Sequence, residues 1–339
     1  MSDPPPGRMI PEHFLRVPTT KTVSPEMQQV IAFPAADWFL RKPQNRAQWD
    51  AVIRDYDHDN AQQSQLLCQS LKVKTEPVTI ATVPCYRVTP AEIAPGHEQR
   101  LLVHTHGGAY VFGAGESGLA EAALIAHYSK SPVLSVDYRM PPKHPPFPAA
   151  IEDVVAVWRE LIESHNPANA AMFGSSAGGG LTMAVTLALK DQRIPLPAAL
   201  FLGSPWARID KIADSQFAND TTDNLLITYD GLLGLAAKLY AHDNRLDDPL
   251  LSPLEGDLSG FPPSIIITGT RDLFLSLAAF AHRKLRRSGV DAELHVFEAV
   301  SHIQFLFFIP DGSGGVAPVP ECVEAMTEVA RFFDRHLTS

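Results

Sequence analysis

A serine between two glycines gives the clearest chemical signal in this sequence. The segment FGSSAGGG (173–180) contains the pattern G-x-S-x-G, and it joins an apolar segment with strand character to a segment with helical character. A tight strand-to-helix turn strains the serine backbone, so its neighbours Gly174 and Gly178 must be small. The following helix N-terminus favours developing negative charge. The pattern therefore predicts Ser176 as a nucleophile, and the glycine spacing favours it over the adjacent hydroxyl of Ser175.

A serine is a poor nucleophile without a base, and a histidine later in the chain is the expected partner. Of the downstream candidates, His242 lies in an irregular segment, His282 in a basic helical segment, His295 inside the strand AELHVFE, and His336 in the last helix. Only His302 directly follows a strand, in EAVSHIQF, where it would lie at the carboxyl edge of a sheet. We therefore predict His302 as the base.

The orienting acid should lie between the serine and the histidine in the chain. Asp272 ends the strand SIIITGTRD and would lie at the same carboxyl edge. Asp247, Asp248 and Asp257 belong to a less regular connection, where a solvated carboxylate is the ordinary interpretation. We predict Asp272 as the acid.

Two glycine patterns overlap in LLVHTHGGAYVFGAGESG (101–118), and they point to different chemistry. The first, H-G-G-A, is close to the H-G-G-G loop that supplies oxyanion donors in some esterases. Glycine there lets the backbone approach a substrate without a Cβ in between. In this interpretation the backbone N–H groups of Gly107, Gly108 and Ala177 bind the oxyanion of a tetrahedral intermediate.

The second pattern, G-A-G-E-S-G, fits the G-x-G-x-x-G fingerprint of a dinucleotide-binding turn, with Asp137 as the ribose-binding acid. Two features argue against it. The strand already ends at Gly107, several residues before Gly113, and about 100 residues precede a motif that usually opens its domain. We therefore interpret G-A-G-E-S-G as the loop that leads into the next helix.

The surrounding elements alternate between strands and helices, which predicts an α/β fold with a mostly parallel sheet covered by helices on both faces. We predict helices over 44–71, 149–164, 177–191, 276–288 and 319–337, and strands near 100–106, 132–138, 170–176, 198–205, 264–270 and 292–298. We predict that residues 1–71 form an N-terminal helical cap or arm and that residues 72–339 form the catalytic domain. Residues 207–248 interrupt the alternation of strands and helices, and we predict that they form a cap insertion.

Composition excludes several classes of function. The 339 residues carry a formal net charge of −10, which argues against nucleic acid as a partner. The three cysteines show no metal-ligand spacing, so we expect neither a metal site nor a disulfide scaffold. No apolar run could span a bilayer, and the N-terminal segment MSDPPPGRMIPEHF has no secretion-signal pattern. We expect a cytoplasmic protein.

Taken together, these motifs resemble the hormone-sensitive-lipase-like carboxylesterases, bacterial family IV of the α/β-hydrolase fold. The matching segments are HGGAY (106–110), DYRMPPKHPPFPAA (137–150), GSSAGG (174–179), SPW (204–206), DPLLSPL (248–254), PPSIIITGTRDLFL (262–275) and SH (301–302). The resemblance implies a triad of Ser176, Asp272 and His302, the oxyanion donors proposed above, and a cap built from the N-terminal helices and residues 207–248. It also makes Asp137 and Arg139 structural.

Three positions depart from the family pattern. Ala109 replaces the last glycine of H-G-G-G, Ser175 replaces the usual acid or threonine before the nucleophile, and Ser276 replaces a second acid four residues after the triad acid. The last departure leaves any secondary support of His302 open.

The expected function is a serine carboxylic ester hydrolase that acts on short to medium acyl esters through an acyl-enzyme and needs no cofactor. The alternatives are a lactone hydrolase with the same triad and a non-catalytic ligand-binding receptor of the same fold. We expect a small ester as the partner and a monomer or homodimer as the assembly. The candidate pocket residues are Trp38, Tyr110, Trp206 and Phe305, each of which core packing would explain equally well.

Overall fold

A computed structural model describes residues 19–33 and 37–338 of the chain. The proline-rich first part of the predicted N-terminal arm, residues 1–18, lies outside the described residues. In the described part the strands are β1 (Lys74–Ile80), β2 (Val83–Thr89), β3 (Leu101–Thr105), β4 (Val133–Val136), β5 (Ala170–Ser175), β6 (Ala199–Gly203), β7 (Ser264–Gly269), β8 (Ala292–Phe297), β9 (Phe308–Pro310) and β10 (Val316–Pro318). The helices are α1 (Pro25–Ala32), α2 (Arg46–Leu71), α3 (Leu119–Ser129), α4 (Ala149–Leu161), α5 (Ala177–Asp191), α6 (Ser215–Ala218), α7 (Leu232–Ala241), α8 (Leu275–Arg287) and α9 (Pro320–His336).

Eight strands form one sheet in the order β1-β2-β4-β3-β5-β6-β7-β8. From β4 to β8 all neighbours pair in parallel, while the hairpin β1–β2 adds two antiparallel strands at one edge. The predicted α/β class with a mostly parallel sheet is therefore confirmed. Because parallel strands point the same way, the loops after β3, β5, β7 and β8 all begin at one edge of the sheet.

Apolar side chains cover both faces of the sheet, which is why its central strands read as continuous hydrophobic runs. Every residue of β3, β5, β6 and β7 is buried. Successive residues of β5 contribute to two separate apolar clusters, with Met172 in the cluster beneath α4 and α5 and Phe173 in the cluster beneath α3 and α9. The two clusters pack the sheet between helices on both of its faces.

Two parts of the chain lie outside the strand–helix alternation. The helix predicted over 44–71 is observed as α2, which begins after the Asn45 cap, and residues 207–248 contain α6 and α7 with no strand between them. Neither α1 nor the β9–β10 hairpin was predicted from the sequence. No helix of the described residues is long and apolar enough to cross a membrane. The division into cap and catalytic domain remains a prediction.

The tight packing of the sheet makes a matched pair of substitutions informative. Phe201 on β6 is 0 % exposed, whereas Phe280 on α8 is 44 % exposed. Phe201→Ala should lower the free energy of unfolding by about 3–5 kcal/mol because it leaves a cavity. Phe280→Ala removes the same group from the surface and should change it by less than about 1 kcal/mol. Urea unfolding measures both, and equal losses would contradict the assignment of the core.

Candidate active site

Ser176 lies in the strained turn between β5 and α5. Its backbone has φ 58° and ψ −125°, a conformation that costs on the order of 1–3 kcal/mol and that only the surrounding structure can maintain. The Ser176 N–H donates to the Gly203 carbonyl at 2.8 Å, and the Ser176 carbonyl accepts from the Trp206 N–H at 2.8 Å. A Cβ on Gly174 or Gly178 would collide with the Thr105 carbonyl. Both glycines of the motif are therefore required for the turn to pack against β3.

The structure brings Asp272 and His302 together at the same sheet edge. His302 Nδ1 lies 2.9 Å from Asp272 Oδ1, and the His302 and Asp272 residues are only 1 % and 0 % exposed. Asp272 also accepts from the Thr268 hydroxyl and from the Phe274 N–H, each at 2.8 Å. The carboxylate therefore fixes the ring orientation and holds the proton on Nδ1.

Electrostatics at this pair favour a charged acid. Burial alone would raise the pKa of Asp272, but the charge of His302 and its hydrogen bond outweigh burial and hold that pKa below its usual value. The second ring nitrogen of His302, Nε2, is buried and has no hydrogen-bond partner among the described residues. A neutral imidazole with Nδ1 protonated has its Nε2 lone pair free to accept a proton.

The loop 107–113 packs beside the turn at Ser176. Gly108 has φ +110°, and its carbonyl accepts from the N–H groups of Val111 and Phe112 at 3.0 and 2.8 Å. A Cβ on Gly107 would lie 3.0 Å from the Ser175 carbonyl oxygen and 3.5 Å from the Ser176 Cβ. In the described part of the chain, the N–H groups of Gly107, Gly108 and Ala177 donate to no protein acceptor. These three N–H groups therefore remain free to donate a hydrogen bond.

The loop that carries G-A-G-E-S-G has its amides already engaged by carboxylates. Gly113 N–H donates to Asp57 Oδ1 at 2.8 Å, and Gly115 N–H donates to Asp137 Oδ1 at 3.0 Å. A dinucleotide would need these N–H groups to bind its phosphates and the Asp137 carboxylate to bind its ribose, and all of them already have partners within the protein. The dinucleotide interpretation is therefore wrong. Among the described side chains, no three His, Cys, Asp or Glu residues form a group that could hold a metal ion.

Asp223 is a buried carboxylate that the sequence analysis did not identify. It comes from the 207–248 segment, is 0 % exposed, and accepts the Leu273 N–H at 3.0 Å and the His302 N–H at 3.3 Å through Oδ2. Ser276, where the resemblance expects a second acid, instead exchanges hydrogen bonds with Ser215. No pattern in the irregular 207–248 segment distinguishes Asp223 from the other aspartates there.

Glu121 is a second functional candidate that the sequence analysis missed. This carboxylate on α3 accepts from the Ser175 hydroxyl at 2.6 Å and from the Ser175 N–H at 3.2 Å, and lies 3.2 Å from His104 Nε2. It is only 8 % exposed. A signal for it existed, since a lone acid in the apolar segment LAEAALIAHYS must find a buried partner. Glu121 supplies the carboxylate that Ser175 lacks.

A cavity of about 310 Å³ opens beside the Gly107–Gly108 loop. Polar residues of α2 form one wall and apolar residues after His302 form the other. Its lining includes Tyr56, Asn60, Gln63, Ser64, Gly107, Gly108, Glu121, Ser175, Ile303, Leu306, Phe307 and Phe308.

The four predicted pocket aromatics do not line this cavity. Tyr110 stacks on Tyr240 with ring centroids 3.8 Å apart, Trp206 stacks on Phe274, and Phe305 is 0 % exposed. Trp38 contacts the edge of the lining residue Tyr56. Tyr110, Trp206 and Phe305 are buried within the molecule, where apolar burial stabilises their rings, whereas Trp38 is half-buried.

Comparison with known proteins gives a consistent result. Residues 102–306 match a family model described as the alpha/beta hydrolase fold. An acetyl-hydrolase of Streptomyces hygroscopicus is 30 % identical over 293 residues, which cover 85 % of this chain and 93 % of that protein. An esterase of Acinetobacter venetianus is 27 % identical over 269 residues, which cover 79 % of this chain and 84 % of that protein.

Solved structures extend the similarity to the whole architecture. The crystal structure of esterase E25 is 41 % identical, with a TM-score of 0.90 and coverage of 98 % of this chain and 99 % of that one. An esterase described as a member of the bacterial hormone-sensitive lipase family is 28 % identical, with a TM-score of 0.78 and coverage of 93 % and 99 %.

The Glu121 contacts generate a stability prediction. Glu121→Ala leaves the Ser175 hydroxyl and N–H, and the His104 ring, without their shared partner, which should lower the free energy of unfolding by about 1–3 kcal/mol or more. Glu116→Ala, an exposed carboxylate just before α3, is the control and should change it by less than about 1 kcal/mol. Urea unfolding compares the two, and an E121A protein as stable as E116A would refute the role of Glu121.

Proposed function

This chain belongs to the α/β-hydrolase fold family and is an esterase of the bacterial hormone-sensitive-lipase type, and on that premise we propose that it hydrolyses carboxylic esters with Ser176, Asp272 and His302. One observation carries the proposal. His302 is fixed by Asp272 on one side and offers a buried, unpartnered Nε2 on the other, at the sheet edge where Ser176 lies in a strained turn.

In the proposed acylation step, Ser176 Oγ attacks the ester carbonyl carbon while its proton moves to His302 Nε2. The imidazolium that forms is stabilised by Asp272, which stays ionised because its pKa lies below the usual value. Collapse of the tetrahedral intermediate expels the alcohol, which takes the proton from Nε2, and leaves an acyl-enzyme. Water then repeats the sequence, releases the acid and regenerates Ser176.

The negative oxygen of each tetrahedral intermediate needs donors that are already in place. The free N–H groups of Gly107, Gly108 and Ala177 supply them in this proposal, and Ala177 adds the positive end of α5. The replacement of the third H-G-G-G glycine by Ala109 does not remove any of these donors, although Ala109 has φ 53°.

The substrate follows from the cavity beside the donors. We propose that the cavity of about 310 Å³ takes one moiety of a short to medium acyl ester. Residues of α2 form one of its walls, so in this proposal the N-terminal segment acts as part of a cap. The family resemblance adds residues 207–248 to that cap. The proposed steps use no cofactor.

The nucleophile assignment predicts a clear difference between two adjacent serines. Ser176→Ala should reduce p-nitrophenyl butyrate turnover by at least about 10⁴-fold and abolish covalent labelling by a fluorophosphonate probe, because the attacking oxygen is gone. Ser175→Ala keeps that oxygen and should still be labelled. Circular dichroism checks that both proteins are folded. Labelling of S176A at full rate would sink the proposed function.

The donor assignment predicts the effect of one added methyl group. Gly108→Ala forces a Cβ against the Phe112 carbonyl at φ +110°, so the loop must shift and its N–H groups lose their alignment. Loss of one such donor costs on the order of 10²–10³-fold in kcat. Gly260→Ala, at another positive φ with open space around it, controls for backbone strain alone. If both variants kept wild-type kcat, the loop would not bind the oxyanion.

A further inference from the structure

We propose that Asp223 is a positioning residue for the acid–base pair, because its carboxylate joins the loops of Asp272 and His302 and adds a second negative charge beside the imidazolium. This inference rests on the proposed function and extends it to a residue that lies 49 positions before the acid in the chain.

The Asp223 carboxylate accepts hydrogen bonds from three separate segments of the backbone. Its Oδ1 accepts the N–H groups of Leu225 and Leu226 at 2.9 and 3.0 Å, which closes the local turn. Its Oδ2 accepts from Leu273, the residue after Asp272, and from His302 itself. Oδ1 therefore stabilises the 207–248 segment, whereas Oδ2 connects the loops of Asp272 and His302.

The neighbouring residue strengthens the same connection. The Asn224 N–H donates to the Ser301 hydroxyl at 3.2 Å, and the Asn224 side-chain oxygen accepts from the Gln304 amide at 2.7 Å. Residues on both sides of His302 are therefore held by the 223–224 pair. The His302 loop has left-handed backbone at Ile303, so it needs such external contacts to keep one conformation.

The charge of Asp223 also fits a role in the reaction. The titratable groups that face it are Asp272 and His302. Burial and then the Asp272 carboxylate raise the pKa of Asp223 to about 6, while His302 and the backbone N–H groups oppose that rise. Above this pH the proton that moves from Ser176 to His302 creates a cation that interacts with two carboxylates rather than with one. Below it, Asp223 is neutral and that support is lost.

The test removes the charge in two ways and keeps it in a third. Asp223→Asn and Asp223→Ser are uncharged, Asp223→Glu retains a carboxylate, and Asp214→Asn removes an exposed carboxylate from the same segment as a matched control. For each protein we would measure kcat, KM and the pH dependence of kcat/KM with p-nitrophenyl butyrate, the rate of fluorophosphonate labelling, and the midpoint of thermal unfolding.

The expected result separates positioning from mere stability. The uncharged variants should lose roughly 10–100-fold in kcat and in labelling rate with little change in KM, because a misplacement of about 1 Å in a reacting group can cost on the order of 10²-fold in rate. The acid limb of kcat/KM should move to lower pH, since one negative charge fewer makes protonation of the cluster harder. Asp223→Glu should keep the limb near its wild-type position, and Asp214→Asn should match wild type throughout.

Two results would overturn the proposal. One is a folded uncharged variant with wild-type kcat and an unmoved acid limb, and the other is a loss of activity in which the limb stays in place and the thermal midpoint accounts for the whole effect. Asn and Ser differ in size, so either one that folds is decisive. Inactive S176A beside unaltered D223N would remove only the role of Asp223, whereas active S176A would remove the proposed function and this role with it.

Discussion

The close approach of the turn at Ser176 to the end of β3 is the constraint on which the site depends. Gly174 and Gly178 bring two segments of backbone against the Thr105 carbonyl, and no larger residue fits at either position. This contact places Ser176 in its strained conformation and sets the Gly107–Gly108 loop beside it. The hydrogen bonds of Ser176 to Gly203 and Trp206 then offset the strain.

That constraint explains why much of the site could be predicted from the sequence. The glycine spacing around Ser176 is local, and the apolar runs before Ser176, Asp272 and His302 identify strands whose carboxyl ends must share one edge. Asp272 and His302 follow β7 and β8, which are neighbouring strands of the sheet, and the two side chains pair at 2.9 Å. The fold class and the principal helices were predictable for the same reason, because their hydrophobic patterns are local.

What could not be predicted depends on contacts between distant segments. Asp223 lies among several aspartates in an irregular segment, and only the folded chain shows which of them is buried beside the His302 loop. The pocket role of the four aromatic residues stays a prediction, since none of them lines the cavity described above. Residue type does not distinguish a ring that lines a cavity from one that stacks in a core, as Tyr110 does on Tyr240.

Carboxylates from three segments that lie far apart in the sequence hold the loops of the site. Glu121 on α3 reaches Ser175, where the resemblance expects an acid, and Asp223 reaches the His302 loop, where Ser276 provides none. Asp57 of α2 accepts the Gly113 N–H in the same way. Each carboxylate accepts at least one hydrogen bond from a backbone N–H group, which stabilises its negative charge. Asp57 and Asp223 belong to segments outside the sheet, so their hydrogen bonds connect those segments to the loops that carry the proposed oxyanion donors and the proposed base.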